Sequence, residues 1–110
     1  MTPYRYGDVL IVPFPYTSQK TLKRRPAVVI NADGYAQQRG DLVLLALTSQ
    51  MHVEDVALRD WRDAGLPKPT NFKPLIATLN SKEVIGWVGN LSEYDMTQLN
   101  QLLKELLFIR

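Results

Sequence analysis

The chain has 110 residues, 45% of them hydrophobic and 22% charged, with a formal net charge of +2. That composition suits one buried core and excludes wholesale disorder. Cysteine is absent, which excludes a disulfide framework and a thiolate metal site, and no apolar run is long enough to span a membrane. Residues 1–110 are therefore read as one domain. The start, "MTPYRYGDVLIVPF", lacks a signal peptide's long apolar stretch, so a reducing cytoplasm is the expected setting.

Charge is unevenly placed. Residues 1–50 carry six Lys/Arg and three Asp/Glu, whereas residues 51–110 carry seven and eight. Four of the first six cations, Lys20, Lys23, Arg24 and Arg25, crowd into one short stretch. Such a run is either a solvated loop or a phosphate-binding patch.

In chain order, "GDVLIVPF" is a β-branched apolar run of strand length, ended by Pro13 and Pro15. "YTSQKTLK" is polar, has no period and reads as a loop. "RPAVVINA" is a second strand. Pro26 has no N–H to give a ladder, so it belongs at the strand's first residue or on an edge. It also biases Arg25 toward extended backbone, which pins that cation where loop becomes sheet.

"NADGYAQQRG" holds two turn-like pairs, Asp33-Gly34 and Arg39-Gly40. "DLVLLALT" is a third strand, apolar enough to be buried on both faces. It ends where polarity returns, at Thr48, Ser49 and Gln50. "HVEDVAL" alternates and predicts a fourth strand. "DWRDAGLPKP" is a turn, stopped by Gly65 and Pro67. "FKPLIATL" and "EVIGWVG" predict two more strands, with Gly86 marking a bulge or close packing.

Ser92 is an N-cap, with Asp95 three residues later as a capping-box variant and Leu91 and Met96 as a hydrophobic staple. Met96, Leu99, Leu102, Leu103 and Leu106 keep helical spacing, and Lys104 suits the helix's C-terminal end. The whole is mainly β: short bent antiparallel strands, then one amphipathic helix laid on the sheet.

The ordered segments "GDVLIVPFPYT", "KRRPAVVI", "LALTSQ", "DWRDAGLPKPT", "KPLIATL" and "WVGNLSEYD" resemble the MazF/PemK family of toxins from type II toxin–antitoxin pairs. The resemblance runs from about Gly7 to the C-terminal helix. It implies a small SH3-like barrel of the PemK/CcdB type with a C-terminal helix, assembled as a homodimer. The implied activity is metal-independent, sequence-specific cleavage of single-stranded RNA, with no cofactor, and the implied partner is a cognate antitoxin covering the active surface. The family's catalytic Arg and Thr fall on Arg25 and Thr48, and its Gly-Asp pair falls on Gly7 and Asp8, near that site. Relatives carry Ser where Thr70 stands, and Asn71-Phe72 is less usual, a departure that bears on which RNA sequence is preferred.

The chemistry also stands on the residues. RNA cleaves itself when its 2′-hydroxyl attacks the neighbouring phosphorus. The protein must help remove that proton, stabilise the extra phosphoryl charge and protonate the leaving 5′-oxygen. Arginine's planar fork suits phosphate oxygens, so Arg25 is the best donor. Thr48 and Ser49 add hydroxyl donors. Arginine is a poor base. Asp8 could orient Arg25 or take a proton, and His52, four residues past Thr48, could act as acid or base.

Lys20, Lys23 and Arg24 would gather the polyanion, and Gln50 is counted with the RNA-binding residues. Phe14 and Tyr16 could hold unstacked bases or cap the barrel. Trp61 and Trp87 read as core or dimer contacts. A metal site is not expected, and Arg59 and Arg62 are plainer partners for Asp60 and Asp63 than a cation would be. Two non-enzymatic readings remain. One is a toxin that binds DNA gyrase through the helix end "LLFIR", with Phe108 and Ile109 exposed. The other is a barrel that binds an antitoxin-like partner and cleaves nothing.

Overall fold

The computed structural model describes residues 4–14, 23–35, 40–52 and 55–108. Its strands are β1 (Asp8–Phe14), β2 (Lys23–Val29), β3 (Asp41–Thr48), β4 (Asn71–Asn80) and β5 (Gly86–Asn90), followed by helix α1 (Glu93–Leu106). They pair antiparallel in the order β4-β3-β2-β1-β5. The mainly β architecture with one C-terminal helix is as the sequence implied.

The Gly-Asp pair explains where β1 starts. Gly7 has φ of +90°, a backbone state open to glycine. Its N–H donates to the Val29 carbonyl and its own carbonyl accepts from the Leu91 N–H, both at 2.9 Å. Asp8 then closes a turn on Arg5, taking the Arg5 N–H on its carboxylate at 2.9 Å.

β3 lies between β4 and β2, and its residues Leu44 to Leu47 are all buried. They alternate between two cores. Leu45 and Leu47 join Val9, Val28, Phe72 and Leu99 on the helix side, whereas Leu44 and Ala46 join Leu10, Val12, Phe14, Ala27 and Val29 on the other. Burial on both faces is what a run without polar alternation requires.

The sheet curls. Its edge strands β4 and β5 are joined by residues 81–85, which include a short 3-10 turn (Ser81–Glu83). A flat sheet of five strands would hold its edges about 19 Å apart, and a link containing a tight 3-10 turn draws them closer. Accordingly Leu75 and Leu79 of β4 and Val84 just before β5 all pack on the same buried cluster as Leu10 and Phe14.

Four expectations change in detail. The stretch read as a fourth strand contributes only a bridge from Ala57 to Asn71 among the described residues, and residues 53 and 54 lie outside them. The irregularity in β5 falls between the pairs Val9–Gly89 and Leu10–Trp87, so the extra residue is Val88, not Gly86. Close packing belongs to Gly89, where a Cβ would run into the Ala64 carbonyl oxygen, while a Cβ at Gly86 would meet nothing. Trp87 is 60% exposed and so is no core residue of this chain, whereas Trp61 packs against the helix-side core. Along α1, Leu99 is buried and Met96, Leu102 and Leu103 pack beside it, but Leu106 is exposed.

Asp95 departs most from the sequence reading. Ser92 does cap α1, taking the Asp95 N–H on its hydroxyl at 3.2 Å. The Asp95 carboxylate reaches across to another segment. It accepts the backbone N–H groups of Arg59 and Asp60, at 2.9 and 2.8 Å, and is completely buried. Asp60 in turn accepts from the Ser92 hydroxyl at 2.6 Å and pairs with Arg59 at 3.1 Å. Arg59 first, and Ser92 second, hold the Asp60 carboxyl below its ordinary 3.8. Arg62, expected beside Asp63, lies over the Trp61 ring instead.

A buried carboxylate that satisfies two backbone donors is costly to remove, because both donors are then left in a dry site. Asp95→Ala should lower stability by about 3 kcal/mol in urea denaturation. A loss under about 1 kcal/mol would show that water replaces the carboxylate there.

Candidate functional site

Antiparallel pairing does most of the assembly. β2 and β3 pair as Ala27–Ala46, Val28–Leu45 and Val29–Leu44. That ladder stops at Ala27–Ala46, and Arg25 and Thr48 lie two residues beyond this last pair, each on its own strand. On the flanking strands Arg25 pairs with Val12 and Thr48 with Asn71. The pairs Val12–Arg25 and Thr48–Asn71 thus stand at the same end of the sheet.

A cavity of about 280 Å³ opens at this end of the sheet, and both Arg25 and Thr48 line it. Its floor is apolar, with Ile11, Pro26, Leu47, Leu66 and Val88. Its rim carries Arg24, Arg25 and Lys68 as cations and Thr48, Ser49 and Thr70 as hydroxyls. No carboxylate and no histidine lines it among the described residues. Pro26 occupies a non-terminal position of β2, paired with Ile11. The chain before it is thus committed to extended backbone, with Arg25 half-buried and Arg24 exposed.

Thr48 is 8% exposed. Its Oγ1 accepts the Gln50 N–H at 3.1 Å, a local bond typical of threonine at a strand end. That bond uses a lone pair and leaves the hydroxyl proton to donate to a ligand. Asn71, beside Thr48 in the register, is buried, and its Oδ1 has no hydrogen-bond partner among the described residues.

The other wall is the segment from Gly65 to Thr70, held by three devices. Asp95 bonds its entry at Arg59 and Asp60. Gly65 has φ of +85°, and a Cβ there would stand 2.5 Å from the Val88 carbonyl oxygen, so backbone lies against backbone. Thr70 donates its hydroxyl to the Lys68 carbonyl at 2.8 Å. The Thr70 hydroxyl is thus a backbone tie, which a serine there would supply equally.

The remaining expected residues fall as follows. Ser49 lines the cavity and is exposed, while Gln50 joins it through its backbone bond to Thr48 and is not part of the lining. Asp8 lies outside. It pairs with Asn90, four residues along β1 from the Val12 that faces Arg25, about 13 Å at strand rise, and its carboxylate is engaged by Arg5. His52 is exposed and does not line the cavity. Phe14 is buried in the second core, so its ring fills the sheet's interior and offers no face to a base. Lys23 belongs to β2 by its backbone, but its side chain, like all of Tyr16 and Lys20, lies outside the described residues. Sequence reading missed Lys68 as a member of the site. Its signal was the motif Pro-Lys-Pro-Thr, a cation held between two prolines.

The PemK-like, MazF-like toxins of type II toxin–antitoxin systems match residues 5–107. The chain belongs to that family. No curated protein matches it by sequence. Among solved structures it is similar to an endoribonuclease from a mycobacterial species, with TM-score 0.78 and 19% identity over 99% of this chain and 95% of the other. It is also similar to an endoribonuclease in complex with its cognate antitoxin, again mycobacterial, with TM-score 0.72 and 18% identity over 100% and 98% of the two chains. MazF from Deinococcus radiodurans gives TM-score 0.75 and 17% identity over 97% and 98%. At such identities the likeness is one of fold.

If Thr70 acts as a backbone tie, Thr70→Ser should be neutral and Thr70→Val should cost about 1 kcal/mol in thermal or urea denaturation. Equal stability of the valine variant would contradict the tie.

Proposed function

We infer that this protein is the toxin of a toxin–antitoxin pair and acts as a metal-independent endoribonuclease on single-stranded RNA. The observation that carries the reading is the shared cavity of Arg25 and Thr48, in a chain of the MazF-like family. A half-buried guanidinium and a strand-end hydroxyl meet there under an apolar floor. Two non-bridging oxygens of one phosphate could then take the arginine fork and the Thr48 proton. These donors are fixed before the substrate arrives, which favours the phosphorane's extra negative charge over the ground state. The nucleophile is the RNA's own 2′-hydroxyl, so the products are a 2′,3′-cyclic phosphate and a 5′-hydroxyl.

Metal independence is supported by the donor set. Among the described residues no three His, Cys, Asp or Glu side chains gather, and the cavity wall offers hard cations no carboxylate. Arg24 and Ser49 on the rim suit the flanking RNA backbone. We assign the partner role to an antitoxin with an acidic segment, which the three rim cations would attract. The active assembly is proposed as a homodimer working in the cytoplasm. No helix among the described residues is long and apolar enough to cross a membrane.

A second reading rests on the helix end, where Leu106, Leu107 and Phe108 are 40%, 50% and 76% exposed. An apolar tip of this kind suits a protein target such as DNA gyrase, and toxicity would then survive loss of Arg25 and vanish on deleting residues 107–110.

The cleavage reading predicts discrete cuts in a long single-stranded RNA incubated with the pure protein in EDTA, mapped as new 5′ ends. Arg25→Ala should slow them at least about 100-fold without loss of fold. Arg25→Lys keeps the charge but loses the fork and should remain well below wild type. Uncut RNA after prolonged incubation with folded wild type would rule the reading out.

A further inference from the structure

Attack by the 2′-hydroxyl breaks the bond between phosphorus and the 5′-oxygen. The departing alkoxide is a strong base and needs a proton as it leaves. Neither expected acid is at hand: His52 does not line the cavity, and Asp8 lies several residues away along β1. The groups that do line it are few. The hydroxyls of Thr48 and Ser49 are weak acids, and Thr70 spends its proton on the Lys68 carbonyl. Guanidinium groups hold their protons too tightly to give one up. Among the described residues one ammonium remains, that of Lys68.

The chain around Lys68 is built to hold it still. Pro67 and Pro69 fix the backbone on either side. The Thr70 hydroxyl bonds the Lys68 carbonyl at 2.8 Å, and the Thr70 carbonyl accepts from the Leu58 N–H at 2.9 Å. Just upstream, Leu66 is buried and its N–H bonds the Trp61 carbonyl at 3.1 Å. The side chain itself is exposed, and no hydrogen bond or ion pair engages its ammonium among the described residues. A cation on a rigid backbone, uncommitted and facing Arg25 and Thr48 across one cavity, is placed to meet the substrate.

We propose that Lys68 is the general acid of the cleavage step, donating a proton from Nζ to the leaving 5′-oxygen. This rests on the RNA-cleavage reading above. The step balances as follows. The 2′-oxygen forms its bond to phosphorus and its proton passes to solvent hydroxide. The bond from phosphorus to the 5′-oxygen breaks, and that oxygen takes the Nζ proton. Water then restores the ammonium. Arg25 and Thr48 hold the non-bridging oxygens throughout, so the three residues divide charge stabilisation from proton delivery.

The test compares two RNA oligonucleotides that share a mapped cut site. One has the ordinary 5′-oxygen at the cut and the other a bridging 5′-sulfur, which departs as a thiolate without a proton. Lys68→Ala should cut the oxygen substrate at least about 100-fold more slowly than wild type. It should cut the sulfur substrate within about threefold of wild type, which also shows that the variant is folded and binds RNA. Lys68→Arg, which keeps the charge but not the acidity, should behave like Lys68→Ala. An equal slowing on both substrates, or recovery with arginine, would make Lys68 a phosphate contact and overturn the proposal. So would a Lys68→Ala variant as fast as wild type on the oxygen substrate. Wild type that cuts neither substrate would remove the cleavage reading itself, and Lys68's role with it.

Discussion

The site depends on the register of two strands. Ala27 pairs with Ala46 in the middle of the sheet, and everything outward follows from that pair. Two residues further out on each strand stand Arg25 and Thr48, and both line one cavity. A slip of one residue would turn each side chain to the opposite face. It would also move Val28 and Val29 out of the two cores they occupy. The burial of those valines is therefore what holds a cation and a hydroxyl together at a surface. Core and site share one cause, since the apolar pattern that excludes water from the sheet also fixes the address of Arg25.

The sheet supplies half a cavity, and a loop supplies the rest. A connecting segment has no ladder of its own, so its placement must come from other bonds. Here the helix provides them. The buried Asp95 on the first turn of α1 fixes the loop's entry through two backbone N–H groups. Gly65 and Gly89 let the loop lie against β5 with no side chain between. The C-terminal helix thus has two tasks. Its apolar face covers the core through Leu99, and its capping turn holds the wall that carries Leu66, Lys68 and Thr70.

Much of this was legible in the sequence. β3 matched its apolar run, and Ser92 marked the start of α1 as an N-cap should. Pro26 announced that Arg25 sits on extended backbone, but it lies inside the central strand β2, not at a strand's first residue or on an edge. What the sequence could not show was where long-range contacts would carry a side chain. Asp95 fits the local pattern of a capping box, yet its carboxylate bonds residues 35 and 36 positions away. Phe14 sits next to a basic loop, which suggests a base platform, but strand alternation turns it into the core. Lys68 is distant in sequence from the cation cluster and joins it only because the loop folds back. Asp8 and His52 have the right chemistry but lie outside the cavity, because strand rise and loop direction carry them away from it.

The central claim is that the RNA's own 2′-hydroxyl is the nucleophile, held for attack by Arg25 and Thr48. The nature of the new ends tests it most directly. The purified protein would be incubated with a single-stranded RNA in EDTA and the fragments analysed by mass spectrometry. The account predicts a 2′,3′-cyclic phosphate on one fragment and a 5′-hydroxyl on the other. A 3′-hydroxyl with a 5′-phosphate would mean that water attacks instead, and would contradict it.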